Sequence, residues 1–130
     1  MIVIDASALV KALVEKSPSG DAARARLRGE TLVAPSHIDA EVLSVLRGLH
    51  RAAKLSIDRA ERAIALTSQL PMERAPLSRY LSRAWELRQN YSAYDALYVA
   101  VAESVDAPLV TADARMAGGG VARCVIEVIS

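Results

Sequence analysis

The 130 residues predict a single α/β domain of three layers, with a central parallel sheet of four to five short strands flanked by helices over residues 1–130. Two observations carry that reading. Short aliphatic and β-branched runs alternate with longer stretches whose apolar residues recur at helical spacing. The connections between them are short, as in parallel β-α units, and no repeat, linker or low-complexity segment interrupts them.

Ile2, Val3 and Ile4 form an apolar run that Asp5 ends, the pattern of a strand buried on both faces. Ser7 is placed to cap a helix whose apolar positions are Leu9, Val10, Leu13 and Val14. Ser17-Pro18-Ser19-Gly20 reads as a break, and Asp21 to Arg28 as a helix that Gly29 ends. Thr31 to Pro35 is a second strand. Ser36 then caps a helix running to about Ala53, with Ile38, Val42, Val45, Leu46 and Leu49 as its stripe and Glu41 beside it. Ser56 opens the next helix, which ends near Pro71, and Met72 to Ala75 is a third short strand. Leu77, Leu81, Trp85 and Arg88 share one face of an amphipathic stretch. After a break at Asn90 to Ser92, Ala93 to Ser104 is helical, with Tyr94, Leu97, Tyr98 and Val101 inward and Asp95 in the first turn. Pro108 to Thr111 is a strand leading to Asp113, Gly118 to Gly120 a turn, and Cys124 to Ile129 the last strand.

Composition sets limits. A net charge of +1 excludes arguing a polyanion partner from overall charge. The single cysteine, Cys124, excludes an internal disulfide. No secretory leader pattern or run of membrane-spanning length is visible, so the expectation is a cytoplasmic protein with no membrane partner.

Four acids stand out: Asp5, Glu41, Asp95 and Asp113. Singly, each has a structural explanation as a turn former, a wet helix edge, a dipole partner or a cap. Jointly they fall where a parallel sheet brings its strand ends and helix starts to one edge. Carboxylates gathered there repel one another unless a cation neutralises them. An oxygen-only set suits Mg²⁺, with Mn²⁺ as substitute, whereas one Cys and two His offer little for zinc.

The blocks MIVIDASALV, PSHIDAEVLSVLR, SAYDALYVA and LVTADARMA together resemble, in order and spacing, those of the PIN-domain ribonucleases, specifically the VapC toxins of type II (VapBC) toxin–antitoxin pairs. That resemblance implies a metal-dependent endoribonuclease that hydrolyses RNA phosphodiesters to 5′-phosphate and 3′-hydroxyl ends. Asp5, Glu41, Asp95 and Asp113 would be its catalytic, metal-binding acids, with Ser7 and Thr111 as supporting hydroxyls. It also implies a cognate VapB-type antitoxin and a homodimer. Some relatives carry a further acid after the fourth; here Ala114 and Arg115 follow Asp113.

RNA approaching a negative pocket needs cations around it. Arg24, Arg28, Arg47, Arg51, Lys54, Arg59 and Arg62 are the candidates for that rim; the alternative is a solvated face with pairs such as Asp58 and Arg62. Tyr94, Tyr98 and Trp85 read as core, and His37 and His50 as structural or surface residues. Leu46, Leu49 and Leu55 are candidates for a partner surface or for core. Two other classes compete with the nuclease: a non-catalytic PIN-like interaction module, and a doubly wound phosphatase using Asp5 as nucleophile. The latter wants a lysine near the later strand ends, and Lys11, Lys16 and Lys54 all come early.

Overall fold

The computed structural model describes residues 1–130. The elements, in order, are β1 (Ile2–Ile4), α1 (Ala6–Val14), α2 (Pro18–Leu27), β2 (Leu32–Pro35), α3 (Ile38–Arg51), α4 (Ile57–Gln69), β3 (Met72–Ala75), α5 (Leu81–Glu86), α6 (Ala93–Ser104), β4 (Leu109–Thr111) and β5 (Ile126–Val128). All five strands pair in parallel, in the order β3-β2-β1-β4-β5. β1 is central and wholly buried, with Ile2, Val3 and Ile4 at most 1% exposed. The chain steps outward from β1 to β2 and β3, then returns to β4 on the other side. The switch in direction lies between β1 and β4, and in an open parallel sheet the crevice beyond the strand ends there is where ligands bind. Asp5 and the Thr111 to Asp113 segment follow those two strands.

Helices α1 to α4 pack on one another, and α5 packs on α6, which lies against β1, β2 and β4. These two groups make the outer layers of the three-layer α/β fold. Ala96 to Ala102 are buried without interruption. A helix apolar all round belongs in a core, and α6 fills that role.

Several local expectations are corrected. Asp5, not Ser7, caps α1, accepting the Ala8 N–H at 3.0 Å. The expected break at residues 17–20 is instead the start of α2: Ser17 caps it, accepting the Gly20 N–H at 3.1 Å, and Pro18 takes the first turn, where its missing donor costs nothing. Gly20 is required there because a Cβ would meet the Glu15 carbonyl oxygen at 2.1 Å. His37, not Ser36, stands at the start of α3, with no side-chain cap. The stretch from Leu77 to Arg88 divides into a 3-10 turn, Ser78–Tyr80, and the short α5. Its buried face is Tyr80, Ala84 and Leu87, one residue out of phase with the expected stripe. Leu81 and Trp85 are therefore exposed, and the Arg88 guanidinium sits 4.6 Å above the Trp85 ring. Tyr94 is also exposed, because buried packing along α6 begins only at Ala96. Leu46 and Leu55 are core and Leu49 packs against it, so they form no exposed partner surface. Val45, placed in the α3 stripe, is 41% exposed. No Asp58–Arg62 ion pair forms. No helix is long and apolar enough to cross a membrane.

Candidate metal and RNA site

Asp5, Ser7, Glu41, Asp95 and Asp113 line one cavity of about 780 Å³. Thr111 sits directly behind Asp5, fully buried. Asp5 is itself only 5% exposed, an unusual place for a carboxylate unless its oxygens are satisfied. They are. Ser7 Oγ donates to Oδ1 at 2.7 Å, the Ala8 N–H donates to the same oxygen, and the Thr111 hydroxyl donates to Oδ2. Each hydroxyl has one proton and gives it to Asp5, so the Ser7–Thr111 approach of 3.3 Å is a contact of two acceptors. Those acceptors are also used: Ser7 Oγ takes the Ala112 N–H and Thr111 Oγ1 the Asp113 N–H, each at 3.0 Å. The two hydroxyls thus tie the β1 carboxylate to the loop after β4. Burial raises the Asp5 pKa; the bonds from Thr111, Ser7 and Ala8 oppose this without cancelling it, and Asp95 adds to the rise.

Glu41 lies in the first turn of α3, where its Oε1 accepts the Tyr98 hydroxyl at 2.7 Å. His37 Nε2 stands 3.4 Å from the same oxygen and 3.2 Å from the Tyr94 carbonyl. A carbonyl can only accept, so Nε2 carries a proton, and the buried Nδ1 has no partner. Tyr98, expected as core, is core, yet its hydroxyl serves the site; sequence reasoning missed this role and that of His37. The signal was available, since Tyr98 is three residues past Asp95 on one helix.

Asp95 is held by its place in the first turn of α6, which Ser92 caps by accepting the Asp95 N–H at 3.1 Å. Burial raises its pKa, the Ser92 contact lowers it, and Glu41 and Asp113 raise it further. Asp113 behaves in the opposite way. Arg115 closes on it, with Nε to Oδ1 at 3.0 Å and Nη2 to Oδ2 at 2.8 Å, and holds its carboxyl below the ordinary range.

With Asp113 on Arg115 and Glu41 on Tyr98, no three His, Cys, Asp or Glu groups stand close enough together to hold an ion between them. The free lone pairs are nevertheless hard oxygen donors. Asp5 Oδ1 is saturated by two donors, which leaves capacity on Oδ2; Glu41 keeps Oε2; Asp95 has only the Ser92 contact, which leaves it further lone pairs. Such a donor set fits Mg²⁺ or Mn²⁺ rather than zinc.

The cavity continues along α1 and α3. From Asp5 and Ser7 it passes Val10, Lys11, Val14 and Lys16 on one side and Val45 and Leu49 on the other, reaching Lys54 and Arg59. The four acids therefore sit at the amino-terminal ends of these helices, with Arg115 beside them, while Lys16, Lys54 and Arg59 lie beyond the carboxyl-terminal ends, where Glu15 also lines the cavity and pairs with Lys11 at 3.4 Å. Of the seven expected rim residues, only Lys54 and Arg59 line this cavity. Arg24 is turned onto the carbonyls of Ala12 and Glu15, where it joins α2 to α1, and Arg62 lines a separate small pocket. Arg28, Arg47 and Arg51 are exposed elsewhere. Lys11, Lys16 and Arg115 were missed. Lys11 lies one helical turn past Ser7, a spacing that places both on one face.

The PIN-domain family model matches residues 2–119. Ribonuclease VapC9 of Mycobacterium tuberculosis is 40% identical over 129 residues, covering 99% of this chain and 98% of the relative. Among solved structures, M. tuberculosis VapC20, described as a sarcin-ricin loop cleaving toxin, superposes with a TM-score of 0.70 at 17% identity, covering 92% of this chain and 95% of that one. A toxin–antitoxin complex from Klebsiella pneumoniae gives a TM-score of 0.65 at 17% identity, covering 100% and 98%.

Proposed function

This chain belongs to the PIN-domain family and, within it, to the VapC ribonucleases, and from that premise we propose that it is a toxin that cuts RNA with Mg²⁺ or Mn²⁺ held by Asp5, Asp95, Asp113 and Glu41. The observation that supports this most is the convergence of four acids from four separate elements on one cavity whose far end carries Lys16, Lys54 and Arg59. When bound, the ion supplies Lewis acidity for the scissile phosphate and lowers the pKa of a water.

The chain's own residues do the rest. Thr111 and Ser7 keep Asp5 in one orientation, so its remaining acceptor capacity points at a fixed place. Tyr98 occupies Oε1 of Glu41 and leaves Oε2 to face the cation. Lys11, Lys16, Lys54 and Arg59 draw the RNA backbone along α1 toward the acids. Val10, Val14, Val45, Leu49 and Leu55 line the same cavity and exclude water beside it. Hydrolysis leaves 5′-phosphate and 3′-hydroxyl ends and needs no covalent protein intermediate.

A VapB-type antitoxin is the inhibitor under this reading, the toxin acts as a homodimer, and both work in the cytoplasm. The antitoxin is supported by the toxin–antitoxin complex among the structural neighbours. Titrating Mn²⁺ into the purified protein and into Asp95→Asn, alongside cleavage of single-stranded RNA, tests the central proposal. Wild type should bind Mn²⁺ and cut, and the variant should lose both while staying folded; cleavage unchanged by Asp95→Asn overturns it.

A further inference from the structure

Arg115 stands where two cavities meet. It lines the large cavity and also a neighbouring one of about 390 Å³, bounded by Asn90, Ser92 and Met116, and Asp95 and Asp113 are shared by both. The Arg115 side chain is 90% exposed, and its guanidinium bonds only to the two oxygens of Asp113. Other arginines near the site are anchored on backbone: Arg24 on Ala12 and Glu15, Arg59 on Val14. Arg115 has no such anchor. A guanidinium keeps its charge at any relevant pH, and an exposed ion pair is a weak one. The contact therefore neutralises Asp113 but yields readily to a stronger cation.

We propose that Arg115 is an exchangeable counter-ion. It closes on Asp113 while the acids hold no cation, and when a divalent ion takes that carboxylate the guanidinium turns to a phosphodiester of the bound RNA. The inference rests on the proposed function, namely a cation among the acids and RNA as substrate. A fork of N–H donors suits two phosphate oxygens, and a guanidinium freed beside a divalent ion is repelled by it toward the nearest anion. The same side chain thus opposes metal binding and favours RNA binding. A surface arginine with a purely structural role would do neither.

The test compares wild type, Arg115→Gln and Arg115→Lys, each checked for an unchanged melting temperature. Mn²⁺ affinity is measured by calorimetry without RNA, and binding of a fluorescent single-stranded RNA is measured with Ca²⁺ across a salt series. Arg115→Gln should bind Mn²⁺ about two- to fivefold more tightly, the loss of one exposed pair. It should also bind RNA more weakly, with a salt slope lower by about 0.7, the loss of one phosphate contact to a single strand. Arg115→Lys should keep the wild-type slope. If Arg115→Gln leaves Mn²⁺ affinity unchanged or weaker, or leaves the slope unchanged, the counter-ion role is overturned while the metal site stands. If wild type binds no Mn²⁺ or no RNA, the proposed function falls and this inference with it.

Discussion

Thr111→Val is the substitution that most directly probes how the fold holds a buried carboxylate. Valine keeps the shape of threonine and removes one hydroxyl, in a residue with no solvent exposure. Two bonds go: the donation to Asp5 Oδ2 and the acceptance of the Asp113 N–H. A hydrogen bond to a charged group contributes about 1.5–3 kcal/mol and a neutral one about 1, so the loss is about 2.5–4 kcal/mol. At about 2.1 cal/mol/K per residue, unfolding a chain of this length carries about 0.27 kcal/mol/K, and the melting temperature should fall by about 9–15 °C. The loss should also depend on pH. The Asp5 pKa is already raised by burial, and the Thr111 bond is the largest effect opposing that rise. Without it the folded-state value climbs further. A group whose folded pKa lies above its unfolded value contributes stability that is complete below the unfolded pKa and lost as pH rises through the folded one. The deficit of Thr111→Val against wild type should therefore grow from pH 4.5 to pH 7.5. Circular dichroism melts in EDTA at the two values measure it, and the cost should shrink in an Asp5→Asn background, where the charge is gone. An unchanged melting temperature, or a deficit that narrows as pH rises, refutes this account of Asp5.

Other consequences are simpler to check. Asp5 and Asp95 both carry raised pKa values without metal, so acidification protonates them early, and Mn²⁺ affinity by calorimetry should be weaker at pH 5.5 than at pH 7.5. Lys16→Glu and Lys54→Glu should weaken binding of single-stranded RNA and lower its salt slope by about 1.4 when combined, whereas Arg47→Glu with Arg51→Glu, away from the cavity, should change neither in a fluorescence titration. Tyr98→Phe should cost about 1.5–3 kcal/mol in a denaturant melt and slow single-turnover cleavage while leaving RNA affinity near wild type, because the lost hydroxyl is spent on holding Glu41.

The features legible in the sequence were those with a repeating physical cause. β1 showed itself because three consecutive residues buried on both faces leave an uninterrupted aliphatic run, and β4 did the same before Thr111. The acids were legible because strand ends and helix starts of a parallel sheet share an edge, whatever the side chains do next. Phase was harder. Leu77, Leu81 and Trp85 have helical spacing, but so do Tyr80, Ala84 and Leu87, and only the packing of α5 on α6 decides which face is covered. Ser7 and Asp5 could each have capped α1, and the choice depends on residues more than a hundred positions away: the Ala112 N–H donates to Ser7 Oγ and the Thr111 hydroxyl to Asp5 Oδ2. The rim followed the same logic. Arginines counted along helices say nothing of direction, and Arg24 is lost to backbone carbonyls that no local pattern reveals.

The most direct test of the central claim is end-mapped cleavage of total cellular RNA by purified, antitoxin-free protein with Mg²⁺ or Mn²⁺, beside EDTA and Asp5→Asn controls. Discrete cuts bearing 5′-phosphates, present only with metal and with Asp5 intact, are the expected result. Cuts that persist in EDTA or in folded Asp5→Asn would contradict a metal-dependent site built on this carboxylate.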